Sequence, residues 1–265
     1  MQSESIMDLI NRRTMQRAVD HYTYDAYDGL MPPERAALAT VANSCRGKRI
    51  LDLGVGAGRT VPALRALSKN YVGVDYVPEM VARCRERFPD ARFELADARN
   101  LTAFADRSFD LIVFACNGIS MVAHEGRLAI LKEVRRLLAP NGHFVFSTYN
   151  RNNKAHERFF KPPDFTMSLN PLRLAARAVR FGAHTAYGLY NRIRFARHEI
   201  RTDEYSMVND RCHHYRTMLY YIHPPDQFKQ LQASGFDRMP ILFDTRGEPT
   251  SEASMDDSLT YVVAA

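Results

Sequence analysis

The chain has 265 residues, 46% of them hydrophobic, and carries a formal charge of +6. That length suits one large α/β domain with an insertion, or two small domains, and the apolar content supports a sizeable core. No apolar stretch reaches the 18 residues that a membrane span needs, and residues 1–5 have neither the basic start nor the apolar run of a secretion signal, so none is expected.

Cys45, Cys84, Cys116 and Cys212 are scattered. They form neither a metal-ligand pair nor a disulfide framework, so no metal is expected. Four buried thiols in a reducing cytoplasm are the expected arrangement.

In chain order, Ile6, Leu9 and Ile10 are spaced to share one face of an N-terminal helix. An aromatic cluster follows, His21, Tyr22, Tyr24 and Tyr27. Met31-Pro32-Pro33-Glu34 breaks the chain, and Pro33 or Glu34 opens a helix reaching about Ser44. The run Ile50 to Leu53 then reads as a short buried strand. Gly54, Gly56 and Gly58 follow at alternate positions, and a helical pattern begins near Thr60 with Val61, Leu64 and Leu67 on one face. Glycine permits a tight turn and leaves no Cβ between backbone and ligand. The free amides of the next helix favour a polar or anionic group at the same place.

Tyr71-Val72-Gly73-Val74-Asp75 reads as a second strand ending in a carboxylate. An acid about 20 residues beyond a glycine turn, on the neighbouring strand tip, is placed to accept two ribose hydroxyls. Dinucleotides and adenosyl cofactors both meet that geometry. The glycine spacing is G-x-G-x-G, not the G-x-G-x-x-G of dinucleotide sites, and this disfavours a nicotinamide oxidoreductase.

Strands are expected over 49–53, 71–75, 92–96, 109–115 and 142–149, with helices over 60–68, 78–88 and 124–138. This alternation predicts a parallel sheet covered on both faces, binding its ligand beyond the carboxyl ends of the strands.

Five motifs in order carry a resemblance to the class I S-adenosylmethionine-dependent methyltransferases. They are Leu51 to Gly58, Gly73-Val74-Asp75, Leu95-Ala96-Asp97-Ala98, Phe109 to Phe114, and Leu137 to Phe144 with its Pro140-Asn141-Gly142 turn. The resemblance covers roughly 35–150 and resumes near 224–264. It implies a Rossmann-like, doubly wound seven-stranded sheet, mostly parallel with an antiparallel edge, and S-adenosylmethionine as cofactor, leaving as S-adenosylhomocysteine. It also implies Gly54, Gly56, Gly58, Asp75, Tyr76, Asp97 and Ala98 as cofactor contacts, with Asp97 near the adenine amino group. The segment 1–34 would be a cover, with Tyr24 or Tyr27 against the sulfonium. Asp52 lies inside the first strand, where an unpartnered carboxylate is costly. It either bonds the loop amides, reaches the cofactor ammonium through water, or is purely structural. Asn117, after the fourth strand, is a cofactor contact or a turn-former. The segment around it, Ala115 to Ser120, lacks the Asn-Pro-Pro-Tyr signature of base-amine methylation and the Pro-Cys pair of cytosine attack.

Residues 151–223 form an expected inserted lid or substrate subdomain, with 35–150 and 224–265 as the cofactor domain. Within 151–201, eleven basic side chains face three acids, a local charge of +8 against −2 for the rest of the chain. Leu172, Ala175, Ala176 and Val179 suggest one helix, and Tyr187, Tyr190, Ile193 and Phe195 a second. The basic surface serves a solvated lid or dimer face, an acidic substrate, or a membrane or RNA backbone. Strands over 199–208 and 213–222 flank an Asn209-Asp210-Arg211 turn, making an apolar wall that carries Tyr215, Tyr220 and Tyr221. Pro224-Pro225-Asp226 opens a helix reaching Ala233, and 236–243 and 259–263 are the last strands.

A sulfonium methyl needs alignment with a nucleophile more than it needs a base. The sequence accordingly carries no catalytic signature. His21, Tyr149, His213, His214 and His223 are the base candidates by type and place. The primary expectation is methyl transfer to N or O of a small acceptor, acidic or aromatic, by a monomer or homodimer. The alternatives are an RNA, quinone or lipid-like acceptor using the basic insertion, or a non-catalytic cofactor-binding protein. Nucleic acid and a peripheral membrane contact are the less expected partners.

Overall fold

The computed structural model describes residues 5–18 and 29–265. Five strands form where the apolar runs were expected: β1 (Ile50–Leu53), β2 (Tyr71–Asp75), β3 (Arg92–Leu95), β4 (Phe109–Phe114) and β5 (Leu138–Asn150). They are parallel, in the order β3-β2-β1-β4-β5, so strand order reverses between β1 and β4. The edge beyond β5 is antiparallel: β11 (Ser258–Ala264), β9 (Ile241–Phe243) and β10 (Pro249–Thr250).

Side chains alternate across this sheet, so each face has its own core. Leu51, Leu53, Ile112, Phe144 and Phe146 pack on one face with Ile130, Leu131 and Val134 of α5 (His124–Leu137) and Leu231 of α7 (Pro224–Ala233). Ile50, Tyr71, Leu111 and Val113 pack on the other with α2 (Pro32–Cys45), α3 (Val61–Leu67) and α4 (Pro78–Arg87). Proline opens α2, α3 and α4 within their first two positions, where its missing N–H costs nothing.

The sheet has eleven strands, not seven. Seven of them make a mostly parallel sheet with an antiparallel edge, as expected. The additions are β10 and an inserted set, β6 (Ile200–Arg201), β7 (Tyr205–Asp210) and β8 (Thr217–Ile222). β8 joins β5 only through Tyr149↔Tyr221 and Asn150↔Ile222, beyond the end of β4, whose last partner pair is Phe114↔Phe146. The inserted strands therefore branch off the parallel sheet at its carboxyl edge.

Four further expectations are corrected. The two helices expected in the insertion are one, α6 (Pro171–Ala196), capped by Asn170 Oδ1, which accepts from Leu172 and Arg173. β5 starts at Leu138 and absorbs the expected Pro140-Asn141-Gly142 turn as an irregularity, with Asn141 at φ 61 and a register shift opposite Phe109 and Leu111. The first helix, α1 (Ile6–Ala18), exposes Ile6 and Leu9 and buries Met7, Asn11 and Thr14. Met7 and Ile10 pack with Ala123, Met218 and Tyr220, and the polar Asn11 and Thr14 add long-range hydrogen bonds that an apolar-periodicity reading overlooks. Of the four thiols, Cys45 and Cys84 are buried, but Cys116 is exposed and Cys212 half-buried, because both lie in turns at strand ends.

Candidate functional site

The site is built at the carboxyl tips of β1, β2 and β4. Gly54 adopts φ 61, and a Cβ there would lie 2.7 Å from the Phe114 ring. Gly56 adopts φ 53, and among the described residues a Cβ there would meet only Gly54 O, at 3.9 Å. One glycine is required by packing beneath the loop. The other leaves its upper side open, where a ligand could approach the backbone.

The loop is tied to its neighbours from both sides. Gly56 N–H donates to Asp75 Oδ2 at 2.9 Å, and Val77 N–H donates to Asp75 Oδ1 at 2.9 Å. Burial pushes the Asp75 carboxyl above the usual range, while these backbone bonds oppose it. From below, the buried Asp52 Oδ2 accepts from Thr60 Oγ1 at 2.6 Å and Tyr71 OH at 2.9 Å. Burial raises the Asp52 carboxyl to about 6 against those two bonds. Its partners are side-chain hydroxyls rather than the loop amides, which were one of the alternatives. Next to it, Arg59 forms two hydrogen bonds of 2.6 Å with Glu34 of α2 and one with Gly29 O. That ion pair, only 6% exposed on the Glu34 side chain, fastens the loop to α2.

At the tip of β3, Asp97 accepts from the Arg99 backbone at 2.9 Å and from its guanidinium. Burial raises this carboxyl, but the bonds from Arg99 outweigh it and hold it below the usual range. Arg99 Nη1 also donates to Asp8 Oδ2 of α1 at 2.7 Å, and Asp8 Oδ1 accepts from Ala123 N–H at 3.0 Å. Asn11, one helical turn on, donates to Met121 O and Met218 O and accepts from Met218 N–H. α1 is thus latched across the strand tips, and the Arg12 guanidinium lies 5.1 Å from the Tyr76 ring centre. Ala98 packs at the edge of the larger core.

Asn117 follows β4 in the left-handed conformation, φ 56, with Cys116 at φ 54 before it. Its N–H donates to Ser147 Oγ at 2.7 Å, and its Oδ1 is buried with no hydrogen-bond partner among the described residues. The 3₁₀ turn that follows, Gly118–Met121, is held by Arg127, which is fully buried with no carboxylate beside it. Arg127 donates to Ile119 O at 3.2 Å, Thr148 Oγ1 at 3.1 Å, Gln230 Oε1 at 3.1 Å and Gln227 Oε1, and lies over the Tyr220 ring. Burial lowers its pKa to about 10.

The base candidates do not converge. His21, Tyr24 and Tyr27 lie outside the described residues. Tyr149 is at the end of β5, its hydroxyl 3.9 Å from Cys212 Sγ and its ring tilted against Tyr221, centroids 5.1 Å apart. Burial raises its pKa far above the ordinary phenol value, so the hydroxyl keeps its proton at neutral pH and serves as a donor rather than a base. His213 and His214 occupy a turn with three successive left-handed residues, His213 to Tyr215, held by Asn191 and Asn209 side chains on the His214 and Tyr215 carbonyls. Lost solvation, then Arg216, lower the His213 pKa. For His214 the causes are lost solvation and then His184. Both rings are neutral at pH 7 and able to accept a proton. His223 caps α7 at the far end of β8, bonded through Nδ1 to Asn152 Oδ1 at 2.7 Å. β8 therefore separates the two histidine sites.

The structural residues that sequence reading missed are Asp8, Asn11, Glu34, Arg59, Arg99 and Arg127. Only Glu34 and Arg59 had a local signal, one at a helix start and the other inside the glycine motif.

Comparison with known proteins agrees with this geometry. The model of the methyltransferase-domain family matches residues 50–142. A ubiquinone biosynthesis O-methyltransferase of Actinobacillus pleuropneumoniae serotype 7 is 29% identical over 140 residues, 49% of this chain and 58% of that one. A phosphatidylethanolamine N-methyltransferase of Cereibacter sphaeroides is 29% identical over 154 residues, 56% of this chain and 71% of that one. The chain spans about half the length of the curated relatives it matches. Among solved structures, the 1,6-didemethyltoxoflavin-N1-methyltransferase of Burkholderia thailandensis shares the fold with a TM-score of 0.59. Its identity is 12%, covering 100% of this chain and 91% of that one.

Proposed function

We propose that this chain, a member of the class I S-adenosylmethionine-dependent methyltransferase family, moves the cofactor's methyl group to N or O of a small acceptor. The observation that carries this is the Gly56–Asp75 hydrogen bond, which joins an open glycine turn to an acid at adjacent strand tips.

Two features support a fit to the cofactor. Gly56 N–H and Val77 N–H bond different Asp75 oxygens, and a carboxylate has about four acceptor sites, so this reading has it accept ribose hydroxyls as well. Asn117 Oδ1, without a partner among the described residues, is an acceptor suited to an ammonium or hydroxyl donor, and such an atom is costly to bury unpaired. When bound, the cofactor supplies a methyl group already activated toward in-line displacement. Gly56 and Asp75 would hold its ribose, Asp97 the adenine side, and α1 would limit water at the strand tips. Should the acceptor have to lose a proton, this reading assigns its removal to His213 or His214, whose imidazoles burial keeps neutral at pH 7.

Isothermal titration with S-adenosylhomocysteine, followed by transfer of labelled methyl to a metabolite extract, tests this reading. Absence of binding would remove it. Binding without transfer would favour the non-catalytic alternative.

A second reading, transfer to a quinone- or lipid-like acceptor, is favoured by the apolar strip that α6 turns to solvent. The ubiquinone and phosphatidylethanolamine methyltransferases that this chain resembles point the same way.

A further inference from the structure

Helix α6 has an unusual division of faces. Only Gly188, Asn191 and Arg192 are buried. They dock its second half: Arg192 pairs with Glu199 and donates to Phe159 O, and Asn191 donates to His214 O. On the opposite side Leu172, Val179, Ala183, Ala186, Tyr190 and Ile193 recur at helical spacing and form one strip. The strip faces water: Leu172 is 81% exposed, Val179 74% and Ile193 63%. The loop leading into the helix adds Met167 and Leu169, the latter 106% exposed, and Arg177 pins that loop through Thr166 O and Met167 O. Along one flank of the strip stand Arg173, Arg180 and Arg194, each seven or fourteen positions from the next. The helix contains five arginines and no acid.

We propose that this face of α6 docks the protein onto an anionic lipid bilayer surface, lying in the interface plane with its apolar strip inserted. An apolar strip flanked by cations is the arrangement that such a surface accepts, since acyl chains take the strip while arginine heads reach the phosphates. Among the described residues no helix is long and apolar enough to cross a membrane, so the helix lies on the bilayer.

Charge argues against the other occupants. A two-fold dimer through this face would set the arginine flanks of two identical acid-free helices into one interface. An RNA backbone would take the arginines and leave the apolar strip in water. The proposal stands whether or not the acceptor is itself a lipid.

Flotation of the full chain with vesicles tests it. Vesicles of phosphatidylcholine mixed with phosphatidylglycerol are expected to carry the protein, and pure phosphatidylcholine vesicles much less. The V179E/I193E double variant should lower the bound fraction by about tenfold or more. R173Q/R180Q should lose the preference for phosphatidylglycerol. Retained S-adenosylhomocysteine binding by both variants shows that the fold is intact. Wild-type protein that stays in the aqueous layer overturns the proposal, as does a V179E/I193E variant that floats like wild type. A wild-type dimer that V179E/I193E splits, with no vesicle binding, overturns it in favour of a second copy. Vesicle binding by a protein that fails to bind S-adenosylhomocysteine would leave this proposal standing and remove the methyltransferase reading.

Discussion

Gly56 and Asp75 are 19 positions apart, yet the amide of one donates to the carboxylate of the other at 2.9 Å. The bond spans β1 and β2, whose pairing runs in register from Ile50↔Tyr71 to Leu53↔Val74. The parallel pairing brings the glycine turn to the acid, and the acid then fixes the turn. A side chain that shapes the loop would also meet the ribose, so stability and ligand affinity are coupled there.

Asp75→Ala removes both backbone contacts of the loop and the proposed ribose acceptor. S-adenosylhomocysteine affinity is expected to fall at least about 100-fold, since two charge-assisted bonds contribute roughly 1.5–3 kcal/mol each. Asp75→Asn keeps one acceptor oxygen and should lie between the two. Calorimetry measures this, and an alanine variant with wild-type affinity would place the ribose elsewhere.

The Asp8–Arg99–Asp97 chain predicts that α1 and the β3 tip are energetically linked. Arg99→Gln and Asp8→Asn should each destabilise by about 1–2 kcal/mol, because the bonds are charge-assisted and partly buried. The double variant should cost less than the sum of the two, with a coupling near 1 kcal/mol. Urea midpoints for all four proteins give the coupling. Strict additivity would mean that the latch contributes nothing.

Asp52 predicts a pH effect. Its folded pKa, about 6, lies above the ordinary 3.8, so the native state holds the proton to higher pH than the unfolded chain. That stabilisation is complete below the unfolded pKa and is lost as pH rises through 6. It amounts to about 3 kcal/mol. Asp52→Asn stays neutral and keeps an oxygen for the Thr60 and Tyr71 hydroxyls. The variant should match wild type near pH 4 and exceed it in stability at neutral pH. Denaturation midpoints that run parallel across this window would show that Asp52 is ionised throughout.

Arg127 is expected to be a stability residue first. Arg127→Met leaves buried acceptors on Ile119, Gln227 and Gln230 without their donor, at a cost of about 3–5 kcal/mol. Thermal unfolding reports the loss. Because the same contacts hold the turn after Asn117, cofactor affinity should fall as well, which a purely remote packing defect would not produce.

The alternation of strand and helix, the glycine turn and its acid are legible in the sequence because each depends on a window of a few residues. Apolar period selects strand or helix, and glycine spacing selects the turn. Length and charge likewise mark 151–201 as an unusual segment without disclosing its shape. Tertiary structure alone decided that α1 is held by Asp8 and Asn11, through bonds to residues 91 and 207 positions away. It alone joined the expected pair of inserted helices into α6 and turned the apolar strip outward. It also branched β8 from β5 and left Asn117 Oδ1 without a partner among the described residues. A hydrogen bond between distant residues leaves no periodic trace in either neighbourhood. Whether an apolar face is covered depends on what packs there, and only the folded chain brings that together.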